Sequence, residues 1–226
     1  MFKKQGLNGL GIFHSYETQF YVFVRECKRK CHGDKISAMS ELSPQDAKKS
    51  LRARLNEQRL VHAKDPSHPA RLNEQLLALC QRLGAKTVAA YLPFGGEPNI
   101  SVFVSGGAAN GLSLIMPVAN ADGTMHWVHY TGQAAPGIFG FDEPTGPAAQ
   151  LSDADLILIP ASAVDLAGNR LGKGKGFYDV ALADPAVTAP VAAVVYEAEV
   201  LESLPTEEHD QPVGFIVTPS RVVSIG

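Results

Sequence analysis

Apolar residues recur along the chain in two rhythms, and each predicts a kind of element. Leu72, Leu76, Leu79 and Leu83 are spaced to share one face of a helix predicted over residues 69–83. Ala47, Leu51 and Leu55 mark a similar stripe upstream. Ser43-Pro44-Gln45-Asp46 is its start signal: a capping hydroxyl, a proline suited to the first turn, and an acid at the capping-box position. Lys48 and Arg52 project together from one face of that helix. Beyond it the rhythm changes to short apolar runs. Residues 87–92, 112–116, 156–159, 191–195 and 215–218 read as strands, and 125–130 as a more exposed one. Helices are also predicted near 99–109 and over 176–182. The Gly- and Pro-rich stretch 132–150 reads as irregular.

Strands that alternate with helices imply a largely parallel sheet covered on both faces. The expected fold is α/β: a single-domain, three-layer α/β/α architecture with a mostly parallel, Rossmann-like sheet. In such sheets ligands sit beyond the carboxyl ends of the strands. Glu97, the glycine-rich segment after residue 167, and Glu197 each follow a predicted strand end, so the three are expected to converge.

Composition narrows the class. The 226 residues suit one domain, and a hydrophobic share of 45% fits an ordinary globular core. No apolar run approaches the roughly 20 residues that span a bilayer. Three cysteines make neither a closed disulfide set nor a four-ligand zinc site, and Cys80 reads as a buried thiol on a helix. The expected compartment is the cytoplasm. Residues 1–38 hold seven Lys/Arg and three Asp/Glu, which leaves 13 Lys/Arg against 20 Asp/Glu in the remainder. That acidic body argues against nucleic acid as a partner. Residues 1–38 show no clear period and are expected to be a disordered tail or a mis-assigned upstream extension. Residues 39–226 form the expected functional domain, beginning naturally at Met39.

The chemistry concentrates in Ala167-Gly168-Asn169-Arg170-Leu171-Gly172-Lys173-Gly174-Lys175-Gly176-Phe177-Tyr178-Asp179. Glycines let a backbone turn tightly and approach a ligand. Freed amides and cationic side chains suit phosphate oxygens, and Asp179 suits a metal that bridges them. The Walker A pattern fails, because Gly174-Lys175 is followed by Gly176 rather than a hydroxyl. The dinucleotide fingerprint fails because Gly172, Gly174 and Gly176 alternate. A plain surface loop remains the alternative on composition alone.

The wording Asn-Arg-Leu-Gly-x-Gly-x-Gly-aromatic-Tyr-Asp resembles the signature of the 5-formyltetrahydrofolate cyclo-ligases, also called methenyltetrahydrofolate synthetases. Four more blocks resemble that family in order: Lys48-Lys49-Ser50-Leu51-Arg52, Tyr91-Leu92-Pro93 to Glu97, Gly140-Phe141-Asp142-Glu143-Pro144, and His209-Asp210-Gln211-Pro212-Val213 with Phe215 to Thr218. Together they cover roughly residues 41–225. The resemblance implies an ATP-dependent conversion of 5-formyltetrahydrofolate to 5,10-methenyltetrahydrofolate, with ADP and phosphate released through an iminium phosphate. It implies ATP and 5-formyltetrahydrofolate as partners, magnesium as cofactor, and a monomer away from membranes.

By the same resemblance, Lys48, Lys49, Ser50, Leu51 and Arg52 flank ATP, with Arg170, Leu171, Gly172, Lys173, Gly174, Lys175, Gly176, Phe177 and Tyr178. Arg170, Lys173 and Lys175 are the expected catalytic cations. Arg52, Leu92, Glu97 and the stretch Lys173, Gly174, Lys175, Gly176 and Phe177 are expected to meet the folate. Asp179 and Asp210 are the expected metal carboxylates, with His209 a structural neighbour. The chain departs from the family's pattern in three places: Phe177 replaces a tyrosine, Glu97-Pro98-Asn99-Ile100 replaces a Glu-Val-Asp-Thr type run, and Gly214 replaces a later aspartate. The rival readings are a non-catalytic folate- or nucleotide-binding relative and an RNA-associated one. The intact set of Lys173, Lys175, Asp179 and Asp210 argues against the first.

Overall fold

The computed structural model describes residues 43–226, so the expectations for 1–38 and for a Met39 start lie outside the described residues. Residues Pro44–Gly226 cluster as one compact unit. Helix α1 (Pro44–His62) begins at the predicted proline and α2 (His68–Leu83) follows. Strand β1 (Thr87–Ala89) leads to the short helix α3 (Ser101–Gly106), then to β2 (Ser113–Ala119) and β3 (Met125–His129). Three short strands come next: β4 (Ala134–Pro136), β5 (Asp142–Pro144) and β6 (Ala148–Ala149). Strand β7 (Leu156–Pro160) precedes the hairpin of β8 (Ala163–Asp165) and β9 (Arg170–Leu171), and then helix α4 (Phe177–Leu182). Strands β10 (Val191–Val194), β11 (Val200–Leu201), β12 (Phe215–Val217) and β13 (Val222–Ser224) complete the order.

Eight strands form the main sheet in the order β13-β12-β10-β7-β1-β2-β3-β6. The five from β12 to β2 pair in parallel, and β13, β3 and β6 join antiparallel at the edges. Parallel strands buried on both faces need apolar side chains in both directions. Leu156 to Ile159 supply them, because successive side chains alternate across the sheet. Val88, Leu156, Leu158, Ala192 and Val194 pack in one cluster with Leu72, Leu76 and Leu79 of α2 and Phe103 of α3. Ala89, Ile157, Ile159 and Ala193 pack in the opposite cluster, against Tyr178, Ala181 and Leu182 of α4. Cys80 is buried on α2, where burial pushes its thiol up to about 11. No helix among the described residues is long and apolar enough to cross a membrane.

The strand order creates one crevice. From β1 the chain moves outward through β2, β3 and β6, then returns to β7 on the other flank of β1. The connections leaving β1 and β7 therefore part in opposite directions and open a gap beyond their carboxyl ends, the usual ligand position in such sheets.

The structure differs from expectation in three local respects. The stretch 132–150 contains β4, β5 and β6, which are too short to carry a legible alternation. The glycine segment does not follow β7 directly, because the β8–β9 hairpin intervenes and pairs with β11 in a separate three-stranded sheet. The buried stripe of α1 consists of Lys48, Leu55 and Arg59, so two of its three buried residues are charged.

The turn of that hairpin is fixed by Asp165 and Gly168. Asp165 accepts the amides of Ala167 and Asn169 on Oδ1, and the Asn169 side chain and Leu204 amide on Oδ2. Gly168 has φ +87°, and a Cβ there would lie 2.6 Å from the Val213 carbonyl oxygen. Gly168→Ala is therefore expected to destabilise the fold by roughly 1–3 kcal/mol, read as a lower urea midpoint. An unchanged midpoint would mean that the turn yields without cost.

Candidate active site

The crevice at the switch point is a cleft of about 920 Å³. Its walls come from the ends of β1, β2 and β7 (Leu92, Pro117, Pro160), from α1, from the β4–β5 hairpin and from the glycine segment. The segment leaves β9 and turns at Gly174 (φ +91°) and Gly176 (φ +73°) into α4. The left-handed backbone at both positions favours glycine. Gly174 also leaves space for α1, since a Cβ there would meet the Arg52 guanidinium carbon at 3.3 Å. Arg52 Nε donates to the Gly172 carbonyl at 2.7 Å and ties helix to loop. The amides of Lys173, Gly174, Lys175 and Gly176 donate to no described residue. Unpaired amides beside lysines give the loop its capacity for an anion.

Three sets of charges cross the cleft. Buried Lys48 bonds Asp210 at 2.6 and 2.9 Å and Glu207 at 2.8 Å. Burial alone would lower the Lys48 ammonium, but those bonds outweigh it and the net shift is upward. Burial likewise raises the Asp210 carboxyl, yet Lys48 and the Glu207 amide hold it below its ordinary value. Arg170 Nη2 grips Asp179 Oδ1 at 2.5 Å, and the Gln211 amide reaches the same oxygen at 3.4 Å. Burial holds the Arg170 guanidinium below its ordinary value against the opposing pull of Asp179 and Asp210, and it remains charged. Its Nε is buried with no partner among the described residues. Lys173 Nζ lies 2.7 Å from Glu97 Oε1 and 3.4 Å above the centre of the Phe94 ring.

Aromatic rings line the side of the cleft toward β4 and β5. Phe94 stacks on Phe141 with centroids 4.3 Å apart, and Phe139 meets Phe177 edge-on at 5.9 Å. Lys175 makes no ion pair among the described residues, and its ammonium stands 4.6 Å from the Phe139 ring centre. Glu143 from β5 accepts the Ala119 amide at 3.0 Å and lies over Gly137, where any side chain would collide with its carboxylate. This contact anchors the hairpin that carries Phe139 and Phe141.

The structure brings most of the expected residues together. Lys48, Lys49, Arg52, Leu92, Glu97, Asp210 and the run Arg170 to Asp179 all line the cleft. Ser50 is exposed outside it, and Leu51 packs into the cluster of Leu55 and Leu171. Glu197 does not join Glu97, because a short 3₁₀ turn directs it to Arg221 at 2.6 Å and to the Thr218 hydroxyl at 2.7 Å. Arg170 does not present an open fork, since Asp179 takes one arm. Glu207, Phe94, Phe139, Phe141 and Glu143 were not assigned from sequence. Phe94, Phe141 and Glu143 lie in blocks that resemble the family, and Glu207 lies three residues before Asp210.

The oxygen chemistry fits a hard divalent cation. Glu207, His209 and Asp210 place one potential ligand atom each within 4.8 Å of one another; Asp179 is not among them and is linked to their segment by the Gln211 amide at 3.4 Å. Carboxylates are the ligands magnesium prefers, so Asp210 and Glu207 fit better than His209.

Fold and cleft together define an α/β protein with a glycine- and lysine-rich loop at the switch point of its sheet. A family model described as the 5-formyltetrahydrofolate cyclo-ligase family matches residues 44–219, and the chain belongs to that family of enzymes. It is 38% identical over 149 residues to the 5-formyltetrahydrofolate cyclo-ligase of Mycolicibacterium smegmatis, covering 62% of this chain and 77% of that one. With the Escherichia coli 5-formyltetrahydrofolate cyclo-ligase it shares 32% over 147 residues, covering 61% and 80%. The solved structure of Aquifex aeolicus 5,10-methenyltetrahydrofolate synthetase superposes with a TM-score of 0.66 at 29% identity, covering 79% of this chain and 92% of that one.

The Lys48 pairs predict an acid response. Asp210 and Glu207 are both held below their ordinary values, Glu207 chiefly by its bond from Lys48. The stability they contribute is therefore fully present above about pH 5 and is lost as pH falls through their lower folded values. Lys48→Met should unfold at a lower temperature near neutrality and lose less than the parent on acidification. Thermal melts from about pH 3 to 7 check this; parallel profiles would show that Lys48 does not hold the two acids.

Proposed function

We propose that this chain uses ATP to convert 5-formyltetrahydrofolate to 5,10-methenyltetrahydrofolate, releasing ADP and phosphate. The observation that carries the reading is the shared cleft: an anion-accepting loop with Lys173 and Lys175 faces the same space as a buried carboxylate and an aromatic wall. A triphosphate suits the first half and a flat pterin with an N–H edge suits the second.

The formyl oxygen on N5 is a poor leaving group. It attacks the γ-phosphorus, the bond from phosphorus to ADP breaks, and an iminium phosphate forms. The lone pair of N10 then adds to the formyl carbon, the carbon–oxygen bond breaks, phosphate departs and N10 loses its proton. The protein's task is alignment and charge neutralisation. Lys175, unlike Lys173, makes no ion pair among the described residues and is assigned to the transferring phosphoryl group. Lys173 serves the same charge after parting from Glu97. The amides of 173–176 take phosphate oxygens, while Lys48, Lys49 and Arg52 flank the nucleotide from α1. Glu97 accepts two parallel N–H donors from the pterin, with Leu92 and Phe94 at the ring. Asp179 and Asp210, with Glu207, hold magnesium, which when bound supplies positive charge against the triphosphate. Arg170 orients Asp179 for that role.

Mixing protein, magnesium, ATP and 5-formyltetrahydrofolate should give the methenyl absorbance, and folded protein without an ATP-dependent signal would overturn the reading. Lys175→Ala is expected to lower kcat by about 100-fold with the fold retained, because the developing phosphate charge loses its partner. Turnover within about twofold of the parent would remove Lys175 from this role. Asp179→Asn should raise the magnesium concentration for half-maximal rate by about tenfold. An unchanged requirement would take Asp179 out of the metal site.

A further inference from the structure

Glu97 stands on a segment with no sheet to support it. Gly95 (φ +59°) and Gly96 (φ +84°) precede it in left-handed conformation, and α3 begins only at Ser101. Its place is set instead by a chain of polar contacts. The Glu97 amide donates to the Phe94 carbonyl at 3.2 Å, and the Phe94 amide returns to Glu97 Oε2 at 3.0 Å. The carbonyl of Glu97 accepts the Tyr196 hydroxyl at 3.2 Å, and that of Pro98 accepts the Tyr91 hydroxyl at 2.9 Å.

Tyr196 is itself fixed from behind. It is 2% exposed and lies two residues beyond β10, outside the cleft lining. Its amide donates to Glu199 Oε2 at 2.9 Å. Glu199 is held by Arg59 of α1 in a fork, with Nε to Oε1 at 2.6 Å and Nη2 to Oε2 at 2.7 Å. Arg59 Nη2 also donates to the Ala161 carbonyl just after β7, and Cγ of the side chain lies 3.5 Å from where a Gly96 Cβ would stand. Both members of this ion pair are almost fully buried. Apolar residues of similar volume often replace such a pair without loss of stability. They could not aim a phenol at a chosen carbonyl. Burial pushes the Tyr196 phenol up to about 12, so it stays a donor across the working range.

We propose that Tyr196, braced by the Arg59–Glu199 pair, is a positioning residue that sets Glu97 for the folate edge. The inference rests on the assignment of Glu97 to the folate. Tyr196 touches neither substrate; it acts by holding the backbone from which the Glu97 carboxylate projects. Its effect should therefore fall on folate and spare the nucleotide.

The test is a double-mutant cycle with Tyr196→Phe and Glu97→Gln, reading kcat and both KM values. The Phe substitution keeps the ring in place and removes one hydroxyl. It is expected to raise the KM for 5-formyltetrahydrofolate by about fivefold and to leave the KM for ATP within about twofold of the parent. In the Glu97→Gln background the same substitution should add no further rise. Equal changes in both KM values, or a full further rise in the Glu97→Gln background, would show a general structural role and overturn the proposal. If Glu97→Gln raises the folate KM while Tyr196→Phe leaves it unchanged, the proposal fails and the folate assignment stands. If Glu97→Gln leaves the folate KM unchanged, the assignment itself fails and the proposal falls with it.

Discussion

Acids and cations from different segments meet across the cleft, and the arrangement of the site follows from those meetings. Lys48 comes from α1 and Asp210 and Glu207 from the segment before β12. Arg170 ends the β8–β9 hairpin and Asp179 lies in α4. Lys173 sits on the loop between them and Glu97 beyond β1. Charges in a partly closed cleft interact more strongly than at an open surface, so each pair holds two segments in register. The cations of all three pairs already have acid partners, so a ligand that enters the cleft must compete with them. The Glu97–Lys173 pair makes the point most sharply. In the proposed reaction the carboxylate turns to the pterin and the ammonium to the phosphates, so each ligand favours the arrangement that suits the other.

The sheet makes those meetings possible. Its order places β1 and β7 side by side while their connections leave in opposite directions. The Glu97 segment follows β1, and the hairpin carrying Arg170 follows β7, so residues far apart in the chain face each other across the gap. α1 closes one side through the polar contacts of Lys48, Arg52 and Arg59 as well as the apolar packing of Leu55. That balance explains why its buried stripe contains two cations.

Much of this was legible in the chain. The leucines of α2 and the apolar runs of β7 and β10 announce themselves because parallel strands and their covering helix need continuous apolar faces. The glycine loop was legible from composition, and its surrounding blocks pointed to a family that the comparisons bear out. What escaped was set by tertiary pairing. Strands of two or three residues, such as β6 and β9, are defined by their neighbours rather than by a pattern of their own. Arg59 and Glu199 look like solvated charges until α1 is docked. Phe94, Phe139 and Phe141 lie in loops or turns, where no periodicity marks a shared wall. The segments after β1 and β10 do converge, through the Tyr196 hydroxyl on the Glu97 carbonyl, but a 3₁₀ turn directs the Glu197 carboxylate to Arg221.

A crystal structure with 5-formyltetrahydrofolate and a non-hydrolysable ATP analogue tests the partner exchange most directly. The account predicts the triphosphate on Lys175 and the amides of 173–176, the pterin edge on Glu97, and the Lys173 ammonium moved from that carboxylate to the phosphates. A triphosphate bound away from this loop, or Lys173 still paired with Glu97 while both ligands are seated, would contradict it.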